Sequence, residues 1–488
     1  MQFIFGKLYM LIYILLFTYS CQTESIKESR PNIILILVDD LGKEWISCYG
    51  ATDIQTPNID QLAASGKIFH NVYSMPQCTP SRLTLLTGQY PFRHGWVNHW
   101  DVPRWGGGAH YDETLNPSLG KELKKAGYHT AIAGKWQIDD FRVEPDALTR
   151  NGFDDYCMWT GYETGVPASA ERYQNPYVFT KSGSKTYKGL FGPDIFQNFI
   201  IDFIRQPKKQ PFFVYYPMVL PHTPFVDTPD EKGSDKLSKH KAMVRYIDKI
   251  TGNIVQALED TQQRENTLII WTTDNGSTQR ISGTYKGHKV KGGKMTNVEA
   301  GINAPFIASW PKNIVPNTES AALVDFTDFY PTFLDLAGVP VKKEWEENGL
   351  RHVLDGYSFK DLLTNKSTSS QREWIMSMGG GNHAQLTKNG VENQYVFRDR
   401  MLRTDRYKLY INAQRKAAEF YDLQKDPFEQ KNLISDKQEW GKEEKKAYEL
   451  MASGIATFPE RDSDPKYKPN LPRDWDVAIK VESQVWKK

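Results

Sequence analysis

The segment from Cys78 to Gly88 combines a thiol, a cation and residues typical of helix boundaries. Thr79 is a suitable N-cap, Pro80 suits the first helical turn, and Gly88 suits the end of the helix. Free backbone N–H groups at a helix N-terminus favour negative charge, and Arg82 adds a permanent cation one turn on. The pattern predicts a nucleophile at Cys78 that faces an anionic substrate, although a capped helix with an inert thiol fits the bare spacing equally well.

Hard oxygen donors follow two apolar runs. Asp39 and Asp40 come directly after the first run, and Asp274 and Asn275 come shortly after the last one. Carboxylate and amide oxygens suit Ca²⁺ or Mg²⁺ better than zinc. Either pair alone could be an ordinary turn. Their occurrence at two strand ends predicts a site for a divalent cation.

Four apolar runs must position these residues, and each ends in polar residues. Continuous runs of this kind are typical of strands buried on both faces, and helical patterns over 59–65, 118–126 and 241–258 alternate with them. The alternation predicts an α/β fold, a large doubly wound, mixed and mostly parallel sheet flanked by helices. Ligands of such sheets bind beyond the carboxyl ends of the strands. The runs are Asn32–Val38, Thr130–Ala133, Phe212–Tyr216 and Thr267–Trp271, and the rim residues are Asp39, Asp40, Lys135, His222, Asp274 and Asn275.

The chain of 488 residues is predicted to contain five segments. Its formal net charge of +2 gives no indication of a nucleic-acid partner. Strands over 396–412 and 419–423 and a helix over 437–451 predict a smaller C-terminal α+β domain. The segments are a signal peptide (1–20), a tether (21–30), a catalytic α/β domain (31–365), the C-terminal α+β domain (372–457) and an irregular tail (458–488).

The N-terminus has the pattern of an export signal. An apolar stretch over 8–18 precedes Ser20 and Cys21, which resembles a bacterial lipoprotein cleavage site. We therefore expect export to the periplasm or cell envelope, with a lipid anchor at Cys21 that holds the protein at a membrane, and plain secretion as the alternative. Three other cysteines permit one disulfide and leave one thiol. That thiol is either buried and inert or, at Cys78, does not remain a cysteine.

The motif Cys78-Thr-Pro-Ser-Arg82, closed by Leu-Thr-Gly, resembles the signature of the type I, formylglycine-dependent sulfatases of the alkaline phosphatase superfamily. Further segments agree with that family in order and spacing, and the resemblance covers nearly the whole mature chain. It implies hydrolysis of sulfate esters, with a sulfated carbohydrate as the expected substrate. These segments include Gly134–Trp136, Pro221–Pro224, Thr273–Gly276 and Lys294–Pro305.

The resemblance also implies roles for individual residues. A formylglycine-generating maturation enzyme would oxidise Cys78 to formylglycine, whose hydrate attacks sulfur. Arg82 and Lys135 would orient this nucleophile and bind sulfate oxygens. His222 would lie near the leaving oxygen as a general acid, and Lys294 would neutralise sulfate or help to protonate the leaving group. One cation, Ca²⁺ with Mg²⁺ possible, would be held by Asp39, Asp40, Cys78, Asp274 and Asn275.

Two positions depart from the family pattern. Gln137 stands where the family usually has a histidine that contacts the nucleophile, and glutamine cannot take up a proton at neutral pH. His94 and His99 are the candidates for a replacement. Asn303 stands where an arginine is common. These departures leave open a phosphate or phosphonate ester hydrolase of the same superfamily, or a catalytically weakened protein that binds sulfated glycans.

The segment Trp96–His110 is aromatic and has the composition of a loop. Trp100 could stack on a sugar ring, while His99 and Arg104 could bind its anionic groups. Buried tryptophans that fix the loop explain the same composition equally well.

Overall fold

A mixed sheet of ten strands forms the centre of the computed structural model, which describes residues 30–97, 110–139, 141, 144–160, 172–379, 384–387, 390–393, 397–463 and 466. Cys21, His99, Trp100 and Arg104 lie outside the described residues, as does the predicted signal peptide. Within the described part of the chain, no helix is long and apolar enough to cross a bilayer.

The strands of the first 325 residues form this sheet and one separate hairpin, β9–β10. The sheet order is β12-β2-β11-β8-β1-β7-β3-β4-β5-β6. The strands are β1 (Asn32–Val38), β2 (Lys67–Tyr73), β3 (His129–Lys135), β4 (Asp155–Trp159), β5 (Tyr177–Thr180), β6 (Gly183–Thr186), β7 (Phe212–Pro217), β8 (Thr267–Thr273), β9 (Ser282–Tyr285), β10 (His288–Lys291), β11 (Asn303–Ser309) and β12 (Thr318–Asp325).

The four predicted apolar runs are the four adjacent strands β8, β1, β7 and β3, and all of them run parallel. Ile34 pairs with Ile269 on one side and Val214 on the other, and all three side chains are fully buried. Successive side chains of β1 enter different cores, since Ile33 and Leu35 pack on one face and Ile34 on the other. Burial on both faces is therefore the reason for the unbroken apolar sequence.

Helices cover both faces of the sheet, as the doubly wound fold requires. The three predicted helices are present with shifted ends, and the longest extends further in both directions than its apolar pattern. The helices are α1 (Pro57–Ala64), α2 (Cys78–Thr87), α3 (Pro91–His94), α4 (Leu119–Lys125), α5 (Ala147–Arg150), α6 (Gly192–Arg205), α7 (Lys236–Asp260), α8 (Glu299–Ile302), α9 (Phe329–Leu336), α10 (Lys360–Leu363) and α11 (Lys442–Ala456), with 3-10 turns at Lys43–Trp45, Ser47–Tyr49, Phe326–Asp328 and Leu433–Glu439.

A smaller antiparallel sheet with the order β15-β18-β19-β20 and helix α11 form the C-terminal α+β unit. The single strand predicted over 396–412 was wrong, because a turn at 404–406 divides it into β18 and β19. The predicted helix begins at Lys442 rather than at 437. The remaining strands are β13 (Glu344–Glu347), β14 (Leu350–Val353), β15 (Ile375–Met378), β16 (Ala384–Thr387), β17 (Gly390–Asn393), β18 (Arg400–Arg403), β19 (Tyr407–Ile411) and β20 (Ala417–Asp422).

Candidate active site at the carboxyl ends of the parallel strands

Two neighbouring strand ends bring four oxygen-bearing side chains together. Val38 pairs with Thr273 at the ends of β1 and β8, so the residues that follow each strand are neighbours. The Asp40 amide donates to Asp274 Oδ1 at 3.1 Å, and Asn275 Nδ2 donates to Asp40 Oδ1 at 2.8 Å. Asp40 has a φ of 65°, a left-handed conformation that aspartate tolerates better than most residues. Strand pairing thus sets the position of this acidic cluster.

The cluster has the composition of a site for a hard cation, and two of its oxygen atoms have no hydrogen-bond partner among the described residues. Asp39, Cys78 and Asp274 each offer a ligand atom within 4.8 Å of the others, as do Asp39, Asp40 and His222. Oδ1 of Asp39 and Oδ1 of Asn275 are buried and have no hydrogen-bond partner among the described residues. A buried oxygen without a partner is costly. These residues therefore fit a divalent cation bound mainly by oxygen.

Three cations face the three carboxylates. Arg82 donates to Asp274 Oδ2 through Nε at 3.0 Å and Nη2 at 2.6 Å. Lys135 Nζ lies 2.8 Å from Asp39 Oδ2, and Lys294 Nζ lies 2.6 Å from Asp40 Oδ2. Every one of these carboxylates and cations is buried or nearly so. The formal charges of the cluster cancel, so a bound divalent ion would leave it positive.

Burial and neighbouring charge move the pKa values of these acids in opposite directions. Burial raises the pKa of Asp39, but Lys135, His222 and Arg82 outweigh that effect and hold it well below its usual range. Burial raises the pKa of Asp274, and Arg82 only partly offsets it. Asp274 therefore takes up a proton at a higher pH than Asp39 does. A bound divalent cation would favour the ionised form of both acids.

Cys78 is the first residue of helix α2 and is 4% exposed. The N-cap is Gln77 in an extended conformation, so the expectation that Thr79 caps the helix was wrong, and Gly88 ends the helix with a φ of 68°. All three described cysteines are free, and burial raises the pKa of Cys157 to about 12. Among these thiols, only Cys78 lies at a helix N-terminus within reach of the acidic cluster.

His222 lies on the outer side of the cluster, in the segment that follows β7. Its Nε2 is 3.6 Å from Asp40 Oδ2, and its Nδ1 is 3.1 Å from Nη1 of Arg172 and 2.7 Å from the Thr223 carbonyl oxygen. Burial lowers the pKa of His222 to about 3, so the imidazole is neutral at neutral pH. Arg172 was not predicted from the sequence, because it belongs to none of the motifs.

Gln137 directly follows the segment that supplies Lys135. It adopts a left-handed φ of 64°, and its Oε1 is buried without a hydrogen-bond partner among the described residues. His94 does not replace the missing histidine, because its Nε2 pairs with Thr84 Oγ1 at 3.3 Å and its Nδ1 accepts from the Trp96 amide. Burial lowers the pKa of His94 to about 3. The other candidate, His99, lies outside the described residues.

A lysine provides a positive charge beside Asn303, where an arginine is common. Lys43 Nζ donates to Asn303 Oδ1 at 2.6 Å and to the His70 carbonyl at 2.7 Å. Asn303 Nδ2 donates in turn to Glu299 Oε2 at 2.9 Å. The positively charged group beside Asn303 is thus Lys43, in the loop after β1, and Asn303 links it to the partly buried Glu299.

Two family models match the chain. Residues 31–339 match the model described as Sulfatase, and residues 293–452 match the model described as N-sulphoglucosamine sulphohydrolase, C-terminal. The first match includes every predicted ligand and catalytic residue named above.

Individual relatives agree with these matches. Human N-acetylgalactosamine-6-sulfatase is 32% identical over 347 residues, which is 66% of this chain and 64% of the human protein. This chain therefore spans less than two thirds of the length of that relative. The N-acetylgalactosamine-6-O-sulfatase of Bacteroides thetaiotaomicron is 27% identical and covers 83% of this chain and 89% of its own. The crystal structure of PsFucS1 sulfatase from Pseudoalteromonas sp. superposes with a TM-score of 0.67 at 25% identity, over 89% of this chain and 92% of its own.

Proposed function

Because the chain belongs to the sulfatase family, we propose that it hydrolyses sulfate esters of a sulfated carbohydrate. The supporting observation is the cluster at the ends of β1 and β8, where Asp39 and Asp274 offer oxygen atoms within 4.8 Å of the Cys78 sulfur. Such a cluster can hold a cation next to a nucleophile and an anionic ester. A protein that only binds glycans has no need of it.

Two groups would complete this site, formylglycine made from Cys78 by a maturation enzyme and a divalent cation, Ca²⁺ or Mg²⁺. Formylglycine supplies a nucleophile on residue 78, and the cation polarises the sulfate group and favours the ionised nucleophile. Asp39, Asp40, Asp274 and Asn275 would hold the cation, since two of their oxygens are buried without a partner.

Three side chains of this protein would position the ligands and bind the sulfate group. Arg82 keeps Asp274 in place through two hydrogen bonds. Lys135 and Lys294 are positioned by Asp39 and Asp40, so their ammonium groups can bind sulfate oxygens once a cation takes over the carboxylates. Preorganised positive charge in a buried site stabilises charge that develops in a transition state.

Lys294 is better suited than His222 to offset charge on the departing alcohol oxygen. The pKa of Lys294 is raised, because Asp40 outweighs the effect of burial, so the ammonium keeps its proton. The neutral His222 can donate or accept a hydrogen bond but carries no extra proton to transfer. A general-acid role for His222 would require the bound anion to raise its pKa.

The names of two relatives make galactosamine 6-sulfates the first sugar substrates to assay. The N-terminal pattern supports export with a lipid anchor at Cys21, which would place the enzyme where extracellular polysaccharides arrive. These two proposals are independent of the chemistry at Cys78.

Mass spectrometry and activity assays test the proposal together. After expression with a maturation enzyme, the tryptic peptide from Ile68 to Arg82 should carry an aldehyde or its hydrate at residue 78. The matured protein should hydrolyse an aryl sulfate, and Cys78→Ala should not. An unmodified thiol in an active protein would overturn the formylglycine assignment.

An aryl phosphate assayed beside the aryl sulfate separates the alternatives. Preference for the phosphate would identify an ester hydrolase of the same superfamily with a different substrate. Binding of sulfated glycans without any hydrolysis by the matured protein would identify a glycan-binding protein.

A further inference from the structure

Arg172 is a buried arginine directly beside the candidate active site. It is 7% exposed, and its guanidinium carbon lies 4.1 Å from the centre of the Trp159 ring at the end of β4. Its Nη1 lies 3.1 Å from His222 Nδ1. The next residue, Tyr173, donates its hydroxyl hydrogen to the Val219 carbonyl at 2.8 Å, which fixes this segment to the loop that carries His222. The guanidinium is therefore held rigidly in place.

The charge of Arg172 is not balanced by an acid within the described part of the chain. Other buried arginines have a carboxylate partner, such as Asp274 for Arg82 and Asp328 for Arg372. No described carboxylate lies within 4.0 Å of the Arg172 guanidinium. Stacking on an indole offsets only part of the cost of burying this cation. Among the described residues the guanidinium therefore has no acidic partner, and it is oriented for contact with an anion.

The position of Arg172 indicates which part of a substrate would reach it. One edge of the His222 ring faces Asp40 at 3.6 Å, and the opposite edge faces Arg172. The guanidinium thus lies one imidazole ring away from the cluster that would hold the sulfate group. A sugar whose sulfate lies at Asp40 and that extends on the His222 side of the cluster would bring its next substituents to Arg172.

We propose that Arg172 binds a second anionic group of the substrate, a carboxylate or a further sulfate on the sulfated sugar or on its neighbour. The inference rests on the proposed sulfatase function and adds that the substrate carries at least two negative groups. A planar guanidinium pairs with two oxygens of a carboxylate or sulfate, which gives both affinity and orientation. Trp159 holds the guanidinium plane for this contact.

Three matched disaccharides test this assignment with the matured full-length enzyme. The first carries one sulfate next to a hexuronate, the second is the same compound with its carboxylate reduced to an alcohol, and the third has a sulfate in place of the carboxylate. Arg172→Gln should lower kcat/KM about 10- to 100-fold on the substrate with the second anion and less than about threefold on the reduced compound. A loss on the first compound identifies a carboxylate as the second anionic group. A loss on the third compound identifies a second sulfate.

Arg205→Gln, at the exposed end of α6, is the matched control and should leave all three rates unchanged. Arg172→Lys should recover part of the loss, since it keeps the charge but not the paired hydrogen bonds. Equal losses on the charged and reduced compounds would mean that Arg172 only positions His222 and would overturn the proposal. So would a wild-type enzyme that does not discriminate between them. Failure to hydrolyse any sulfate ester, in contrast, would contradict the proposed function itself.

Discussion

Gln137 keeps a strained backbone at the position where the sulfatase pattern usually has histidine. Its φ of 64° belongs to the left-handed region, and its side-chain oxygen is buried without a partner among the described residues. Strain of this kind persists where the surrounding structure enforces it, often at functional sites. We infer that the amide is held for contact with the substrate or with residue 78 and that proton transfer belongs to another group.

A glycine substitution separates the strain from the contact. Gln137→Gly should raise the free energy of unfolding by about 0.5 kcal/mol, because relief of the left-handed strain exceeds the added entropy of the unfolded chain. The same change should lower kcat about tenfold by removing one polar contact. Urea unfolding and aryl sulfate turnover measure the two effects.

Gln262→Gly provides the control, since Gln262 has a similar φ of 55° but is exposed beyond the end of α7. It should gain the same stability and lose no activity. Unchanged turnover in Gln137→Gly would show that the glutamine amide takes no part in the reaction.

These candidate site residues could be predicted from the sequence because they are close together in it. Cys78 and Arg82 share one helical turn, and Asp39 and Asp40 are adjacent. Arg172 could not be predicted, because its significance depends on contacts with His222 and Trp159 that only the fold creates.

At the scale of secondary structure, the ends of β1 and β8 create a cluster whose formal charges cancel until a cation binds. A cation that leaves the cluster positive should strengthen the binding of an anion, and the anion should equally strengthen the binding of the cation. The ends of β1 and β8 would therefore couple the binding of the cation to the binding of the anion.

Calcium added to chelator-treated protein should raise the thermal midpoint, by an amount that corresponds to about 2.7 kcal/mol at a hundredfold excess over Kd. Inorganic sulfate should enlarge this shift and should have little effect without the cation. Asp39→Asn should reduce the calcium shift, whereas Asp230→Asn, in an exposed pair with Lys249, should not. Identical midpoints with and without calcium would contradict a metal site at these strand ends.

The loop after β1 also contains Lys43, whose protonation makes the stability of the fold depend on pH. Burial lowers the pKa of Lys43 from its ordinary 10.5 to about 7, and the attraction of Glu299 offsets only part of that effect. The unfolded chain therefore binds more protons than the folded one between pH 7 and pH 10.5. In this range stability should rise with pH, while below pH 7 the cost of the buried charge is fully present.

Urea unfolding of the wild type and of Lys43→Met at several pH values isolates this contribution. The difference in unfolding free energy, wild type minus variant, should increase by about 3 kcal/mol from pH 7 to pH 10. The exposed Lys236→Met, at the first residue of α7, should give a curve parallel to that of the wild type. A curve for Lys43→Met that is parallel to that of the wild type would show that the pKa of Lys43 is not lowered in the folded protein.

The parallel strands were predictable because burial on both faces leaves an unbroken apolar run. The C-terminal hairpin was not, since 404–406 contains no glycine or proline to mark a turn between β18 and β19. The short strand β15 was also missed, because four residues, three of them apolar, are too few to give a period that distinguishes strand from helix.

At the scale of the whole molecule, a buried ionic network joins the two sheets. Glu299, which precedes β11, pairs with Lys408 of β19 at 3.0 Å and accepts from the Tyr73 hydroxyl at 2.8 Å. Lys408 is fully buried and lies 2.7 Å from Glu429. The network also reaches Lys43 through Asn303, so the packing of the C-terminal unit is connected to the loop that carries Asp39 and Asp40.

Glu299→Gln should lower the free energy of unfolding by about 3 kcal/mol, because it leaves buried cations with one carboxylate fewer. Glu319→Gln, whose partner is His70 and whose side chain is 68% exposed, should cost less than about 1 kcal/mol. Chemical denaturation measures both losses. Equal losses would mean that the interface network contributes no more than a surface pair.

The direction of strand β1 also separates the first described residues from the acidic cluster. The chain enters the sheet at Asn32 and reaches the acidic cluster directly after Val38, a rise of about 23 Å along seven residues. Arg30 and Pro31, the first described residues, therefore lie at the edge of the sheet opposite the acidic cluster. Under the proposed lipid anchor at Cys21, the tether would join the described part of the protein at Arg30, on the side away from the acidic cluster.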